Sequence, residues 1–119
     1  MKPGPAAVKC AVASAAAIFA VLVALAPAAR AEECTAVHEV AITYTFEPGD
    51  IYVAPGDCIH FTNIHGIEHS AVGLEREFNT GILMPGGTAL IEFDEETVIP
   101  YVCGVHPLMS GVIIVKSPD

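Results

Sequence analysis

The chain has 119 residues, enough for one domain, and a formal net charge of −9 from fourteen acidic and five basic residues. So acidic a chain repels nucleic acid and anionic membrane surfaces, which excludes nucleic-acid binding and favours basic partners. The hydrophobic fraction of 53% overstates the core, because much of it lies in the first 31 residues. There, Lys2 and Lys9 precede an uncharged run from Cys10 to Ala26, Pro27 breaks the run, and Ala29-Arg30-Ala31 has a small-x-small form. A charged start, an apolar middle and a small-residue exit read as a helical secretory signal peptide over residues 1–31. An uncleaved membrane anchor is the rival, but Pro27 and the Ala-rich exit suit cleavage better.

Cleavage after Ala31 leaves a domain of residues 32–119, exported to the periplasm and not inserted in the membrane. All fourteen acids stay with it, whereas only Arg76 and Lys116 remain of the bases. A domain this small has a marginal core, so a covalent staple is useful. Cys34, Cys58 and Cys103 remain, and in an oxidising compartment an odd count implies one disulfide and one thiol left over. The count alone leaves open which thiol is spare.

After the signal the pattern is that of strands. Val40, Ile42, Tyr44 and Phe46 alternate with Ala41, Thr43 and Thr45, the two-residue period of a half-buried strand. Pro48-Gly49-Asp50 is a turn, Ile51-Tyr52-Val53 a short strand, and Pro55-Gly56-Asp57 a second turn. Ile59 and Phe61 then alternate with His60 and Thr62, which places His60 opposite the core. The stretch from Glu75 to Gly87 is the least regular, a long loop or one short helical turn. Ala89, Ile91 and Phe93 alternate with Thr88, Leu90 and Glu92. Asp94-Glu95-Glu96 turns into Val98 to Val102, and Gly111 to Val115 closes the chain. Pro100 cannot donate a ladder hydrogen bond, so it belongs at the start of its strand or on an edge. Short strands separated by Pro/Gly turns predict an all-β fold, a Greek-key sandwich or small barrel.

The chemistry concentrates in Cys103-Gly104-Val105-His106-Pro107-Leu108-Met109, between the last two strands. A loop joining two strand ends can turn a thiolate, an imidazole and a thioether towards one point. Two His and one Cys with a long axial Met make a blue-copper site. The missing ligand is a second His. His69 is the best candidate, in a loop beyond the strand that ends at Asn63, and His65 is its rival. His38 and His60 sit within strands, and both read as ordinary solvated or hydrogen-bonded imidazoles. Glu68, Glu75 and Glu77 read as a solvated acidic face.

At this point the chain resembles the cupredoxins, and the amicyanin-like members most. The resemblance rests on Phe46-Glu47-Pro48, on a strand from Gly56-Asp57 to Asn63, and on the short Cys-x-x-His-x-x-Met loop with Tyr101 before it and Pro107 within it. It covers nearly all of residues 32–119. It implies a cupredoxin sandwich and one copper ion held by His69, Cys103, His106 and Met109, and it selects His69 over His65. Cys34 and Cys58 are not supplied by the amicyanin-like pattern. In a cupredoxin sandwich, however, the strands they precede are neighbours, which implies a Cys34–Cys58 disulfide and leaves Cys103 free. There are departures as well. Ser70 stands where relatives have Asn, Gly104-Val105 where they have Ser/Thr-Pro, and Phe61 where many have Trp.

The resemblance implies a one-electron carrier, cycling between Cu(II) and Cu(I) and passing electrons through His106. Pro107, Leu108, Met84, Pro85 and Ile67 are candidates for an apolar docking patch, and the acidic charge suits redox partners such as a basic c-type cytochrome. The domain is expected to act as a monomer and not as an enzyme. Copper trafficking or storage is the alternative, favoured by the additional His residues and by a looser Gly104-Val105 segment. A zinc module fits less well, because Met is a poor zinc ligand.

Overall fold

Strand-forming stretches and tight turns alternate along residues 33–119, which the computed structural model describes. The signal peptide expected at residues 1–31, with its helical form, lies outside the described residues. Among the described residues no helix is long and apolar enough to cross a membrane.

Eight strands form in chain order: β1 (Val37–Ile42), β2 (Phe46–Glu47), β3 (Asp50–Val53), β4 (Asp57–Asn63), β5 (Val72–Gly73), β6 (Thr88–Phe93), β7 (Thr97–Val102) and β8 (Ser110–Val115). They make two four-stranded sheets, one in the order β2-β1-β4-β6 and the other β3-β8-β7-β5. The β1–β4 and β3–β8 pairs are parallel, and the remaining pairs are antiparallel. Parallel neighbours need a crossover between them, and here the chain makes it by stepping from one sheet to the other. The result is the all-β cupredoxin sandwich.

Alternation gives each sheet one apolar face. Val40 and Ile42 of β1, Ile59 and Phe61 of β4, and Ile113 and Val115 of β8 are buried in one shared core. Its centre is aromatic: Tyr101 lies 4.6 Å from Phe46 and 5.7 Å from Phe78 between ring centroids, and Phe61 stacks on Phe78 at 5.8 Å. Tilted and edge-on packing of this kind adds to the gain from burial itself. His60 faces away from the core, as its place in the alternation requires, and its Nδ1 meets Glu39 Oε1 at 2.8 Å.

Two local expectations need amendment, and a choice left open between loop and helical turn is decided. The alternation from Val40 to Phe46 is not one strand. β1 stops at Ile42, Thr43 N–H bonds Thr45 O, and the chain returns as β2 with Phe46 opposite Ile42. Tyr44, expected on the core face, is 77% exposed at the tip of this hairpin. Pro100 is neither at the start of its strand nor on an outer edge; it pairs with Val112 inside β7. Its carbonyl accepts Leu74 N–H, so its nitrogen faces the side where the two-residue β5 has run out, and no ladder donor is lost there. The stretch from Glu75 to Gly87 contains no helical turn. It is a loop anchored by single bridges of Asn79 to Val72 and of Leu83 to His69.

The starts of β1 and β4 are joined by the Cys34–Cys58 disulfide, with Cα atoms 5.5 Å apart. Cys103 is buried and is the free cysteine among the described residues. Beside the staple, Asp57 accepts the Ala54 N–H at 2.9 Å, and its Oδ2 lies 2.9 Å from His38 Nε2. Burial pushes the Asp57 carboxyl up, but the Ala54 N–H, His38 and the Ala36 backbone outweigh it and hold the group below the usual carboxylate value.

Candidate metal centre

At the other end of β4 the chain leaves the sheet at Asn63, which is fully buried. An amide buried there must satisfy its donors and its acceptor, and it does so by shaping the next loop. Its Nδ2 donates to Ile67 O and to Leu83 O, both at 2.8 Å, while its Oδ1 accepts the His65 N–H at 2.9 Å. The backbone of His69 is then fixed by a reciprocal pair, His69 N–H to Leu83 O at 3.1 Å and Leu83 N–H to His69 O at 2.7 Å. His69 is held at a definite place under the surface, only 1% exposed.

The second loop runs from the end of β7 to the start of β8. Cys103 N–H donates to Met109 O at 3.1 Å and Met109 N–H to His106 O at 2.9 Å, so the loop closes on itself. Cys103 and Met109 are buried, while His106 is half-buried and Leu108 is 99% exposed.

The two loops meet at the Cys103 sulfur. Nδ1 of His69 and Nδ1 of His106 each lie 3.8 Å from Sγ, and all three ligand atoms fall within 4.8 Å of one another. One thiolate and two imidazoles this close together belong to the donor set of blue copper. Burial, with His106 and His65 close by, holds the His69 imidazole below its ordinary pKa, which keeps its nitrogen free of a second proton.

The two departures at Ser70 and Gly104 answer each other. Ser70 Oγ accepts the Gly104 N–H at 2.8 Å, so a hydroxyl standing where relatives have Asn ties the two loops together. A Cβ at residue 104 would come within 2.9 Å of that oxygen, so glycine is what admits the short side chain. Ser70 N–H also reaches Cys103 Sγ at 3.3 Å. The Gly104-Val105 segment is thereby tied down where a looser loop was expected.

His69, Cys103 and His106 thus come together as anticipated, with Met109 buried on the same loop. His38 and His60 stand apart on the strands, each against a carboxylate. His65 is not among the converging atoms. Its Nδ1 lies 2.9 Å from Nε2 of His69, on the far side of that ring, a role that chain spacing gave no sign of.

No family model matches the chain. Over 76 residues it is 28% identical to amicyanin-alpha of Methylorubrum extorquens, an alignment covering 60% of this chain and 64% of that protein, so less than two thirds of the relative is spanned. A purple cupredoxin from Nitrosopumilus maritimus superimposes with a TM-score of 0.64 at 21% identity, covering 66% of this chain and 99% of the other. A copper-containing nitrite reductase from Thermus scotoductus gives a TM-score of 0.64 at 26% identity, over 80% of this chain but 25% of the enzyme. With its two sheets, its partial likeness to amicyanin-alpha and the converging ligand atoms of His69, Cys103 and His106, the chain has the cupredoxin fold and a donor group of the blue-copper kind.

Proposed function

We propose that this chain is an exported type 1 copper protein that carries single electrons between redox partners in the periplasm, with His69, Cys103, His106 and Met109 as ligands. The observation that carries the reading is the convergence of two imidazole nitrogens on one buried, unoxidised cysteine sulfur at 3.8 Å. Bound copper would supply a Cu(II)/Cu(I) couple, and soft sulfur donors beside imidazole suit both states.

The residues present serve that use in three ways. Hydrogen bonds from Asn63, Leu83 and Ser70 hold both loops in place, so little rearrangement is needed between redox states. His69 and Cys103 are shielded from water, and a shielded thiolate resists side reactions. His106 is half-buried and offers the way to the surface, flanked in sequence by the exposed Pro107 and Leu108. Exposed Ile67 and Met84 lie on the loops that position His69 and offer further apolar surface. The acidic domain suits a basic partner such as a c-type cytochrome, to which it binds as a monomer.

The test is the visible spectrum of copper-loaded protein. An intense blue band, bleached on reduction, restored on reoxidation and absent from Cys103→Ser, is the expected result. A colourless protein that takes up Cu(I) alone, or prefers zinc, overturns electron carriage and leaves metal handling in its place.

A further inference from the structure

Nδ1 of His69 faces the Cys103 sulfur, so Nδ1 is the nitrogen it would offer a metal. A nitrogen that binds metal carries no proton, which leaves the proton on Nε2. That atom lies 2.9 Å from Nδ1 of His65. The only arrangement that satisfies both rings has His69 Nε2–H donating to a bare His65 Nδ1, with the His65 proton on its outer nitrogen.

His65 is itself held in place. Its backbone N–H is bound to Asn63 Oδ1 at 2.9 Å. Its ring lies between Tyr44, at 4.4 Å between centroids, and His69, at 5.2 Å and within 18° of parallel. The hairpin tip that exposes Tyr44 therefore braces a ring which in turn braces His69.

Resting on the copper reading above, we propose that His65 is a positioning residue for the metal: it accepts the Nε2–H of His69, aims that ring's Nδ1 at the site, and strengthens it as a donor. A hydrogen-bond acceptor on the outer nitrogen of a ligand imidazole fixes the ring's orientation and raises its basicity. An imidazole acceptor does so without placing another negative charge beside the thiolate. A more basic ligand favours Cu(II) over Cu(I), so His65 holds the reduction potential down.

The proposal is tested with His65→Phe, which keeps a ring between Tyr44 and His69 but has no acceptor, and with His65→Gln, which restores one. Loss of such a partner costs about tenfold or more in metal affinity. His65→Phe should weaken Cu(II) binding by that factor, and the potential should rise by about 59 mV for each tenfold not shared by Cu(I). His65→Gln should recover most of both losses. In zinc-loaded protein, which is diamagnetic and occupies the same His69 Nδ1, nitrogen-resolved NMR should show a slowly exchanging His69 Nε2 proton in the wild type and its loss in His65→Phe, a readout independent of copper redox chemistry.

A blue wild type together with a His65→Phe variant that matches it in affinity and potential overturns the positioning role and leaves the copper reading standing. So does a His65→Gln variant as impaired as His65→Phe, because a restored acceptor would then recover nothing. A wild type that never turns blue ends the copper reading itself.

Discussion

The two ends of β4 differ in how they are held together. At its start, Cys58 is bonded covalently to Cys34, and Asp57 gathers the Ala54 N–H and His38. At its end, Asn63, Ser70 and Leu83 position two loops with hydrogen bonds alone. One end is closed by a covalent bond that needs no metal, whereas the other is a ligand set that a bound metal would complete. Permanent stability and tunable chemistry thus occupy opposite ends of a single strand.

That separation breaks down if changes at the stapled end alter the site. The largest effect expected is from replacing Cys34 and Cys58 together by Ala. The disulfide spans a sequence separation of 24 residues, and opening a loop of that size costs about 3 kcal/mol. Denaturant unfolding of the metal-free protein should show this loss, while the blue band of the loaded protein keeps its position. A shifted band would mean that the two ends are mechanically coupled through β4.

Asp57 sharpens the same contrast through pH. Its folded pKa lies below the ordinary carboxylate value, so its contribution is complete above that value and lost as pH falls through the folded pKa. Asp57→Asn should be less stable at neutral pH and show a flatter acid limb below about pH 4. Thermal melts across pH 2–7 check this, and an unchanged acid limb would remove Asp57 from the stabilising end.

The smallest effect is expected in the middle of the molecule. Tyr101 is fully buried, and its hydroxyl has no hydrogen-bond partner among the described residues. Burial pushes its pKa up, so the group stays neutral. Removing an unsatisfied buried hydroxyl without changing the ring is neutral or stabilising by up to about 1 kcal/mol. Tyr101→Phe should therefore unfold at equal or higher denaturant with an unchanged spectrum. A marked loss of stability would show that the hydroxyl is satisfied by a partner such as a buried water.

What could be read in the chain beforehand follows from how local each signal is. Cys103, His106 and Met109 share one short loop, so their spacing states their relation. His69 lies far away in sequence, and selecting it over His65 took the resemblance to a known loop. Tyr44 was misplaced because Thr43, Tyr44 and Thr45 are all good strand formers, so a period of two runs through a hairpin whose turn residues do not announce it. The role of His65 depends on a ring-to-ring hydrogen bond across a loop shaped by Asn63, and residue type alone does not carry that. The exchange at Ser70 and Gly104 had the look of two unrelated losses, because compensation across loops is visible only once the loops meet.

Cys103 N–H closes on Met109 O, so residues 104–108 leave the sandwich and return to it at one place. A segment that departs and arrives at the same point touches the scaffold at few places, Gly104 on Ser70 Oγ and Val105 on the core among them. Over generations it can lengthen, shorten or exchange residues while both sheets keep their register. Ligand spacing is then an inheritable variable in its own right, and one sandwich can host a lineage of differently tuned metal sites without having to be folded anew.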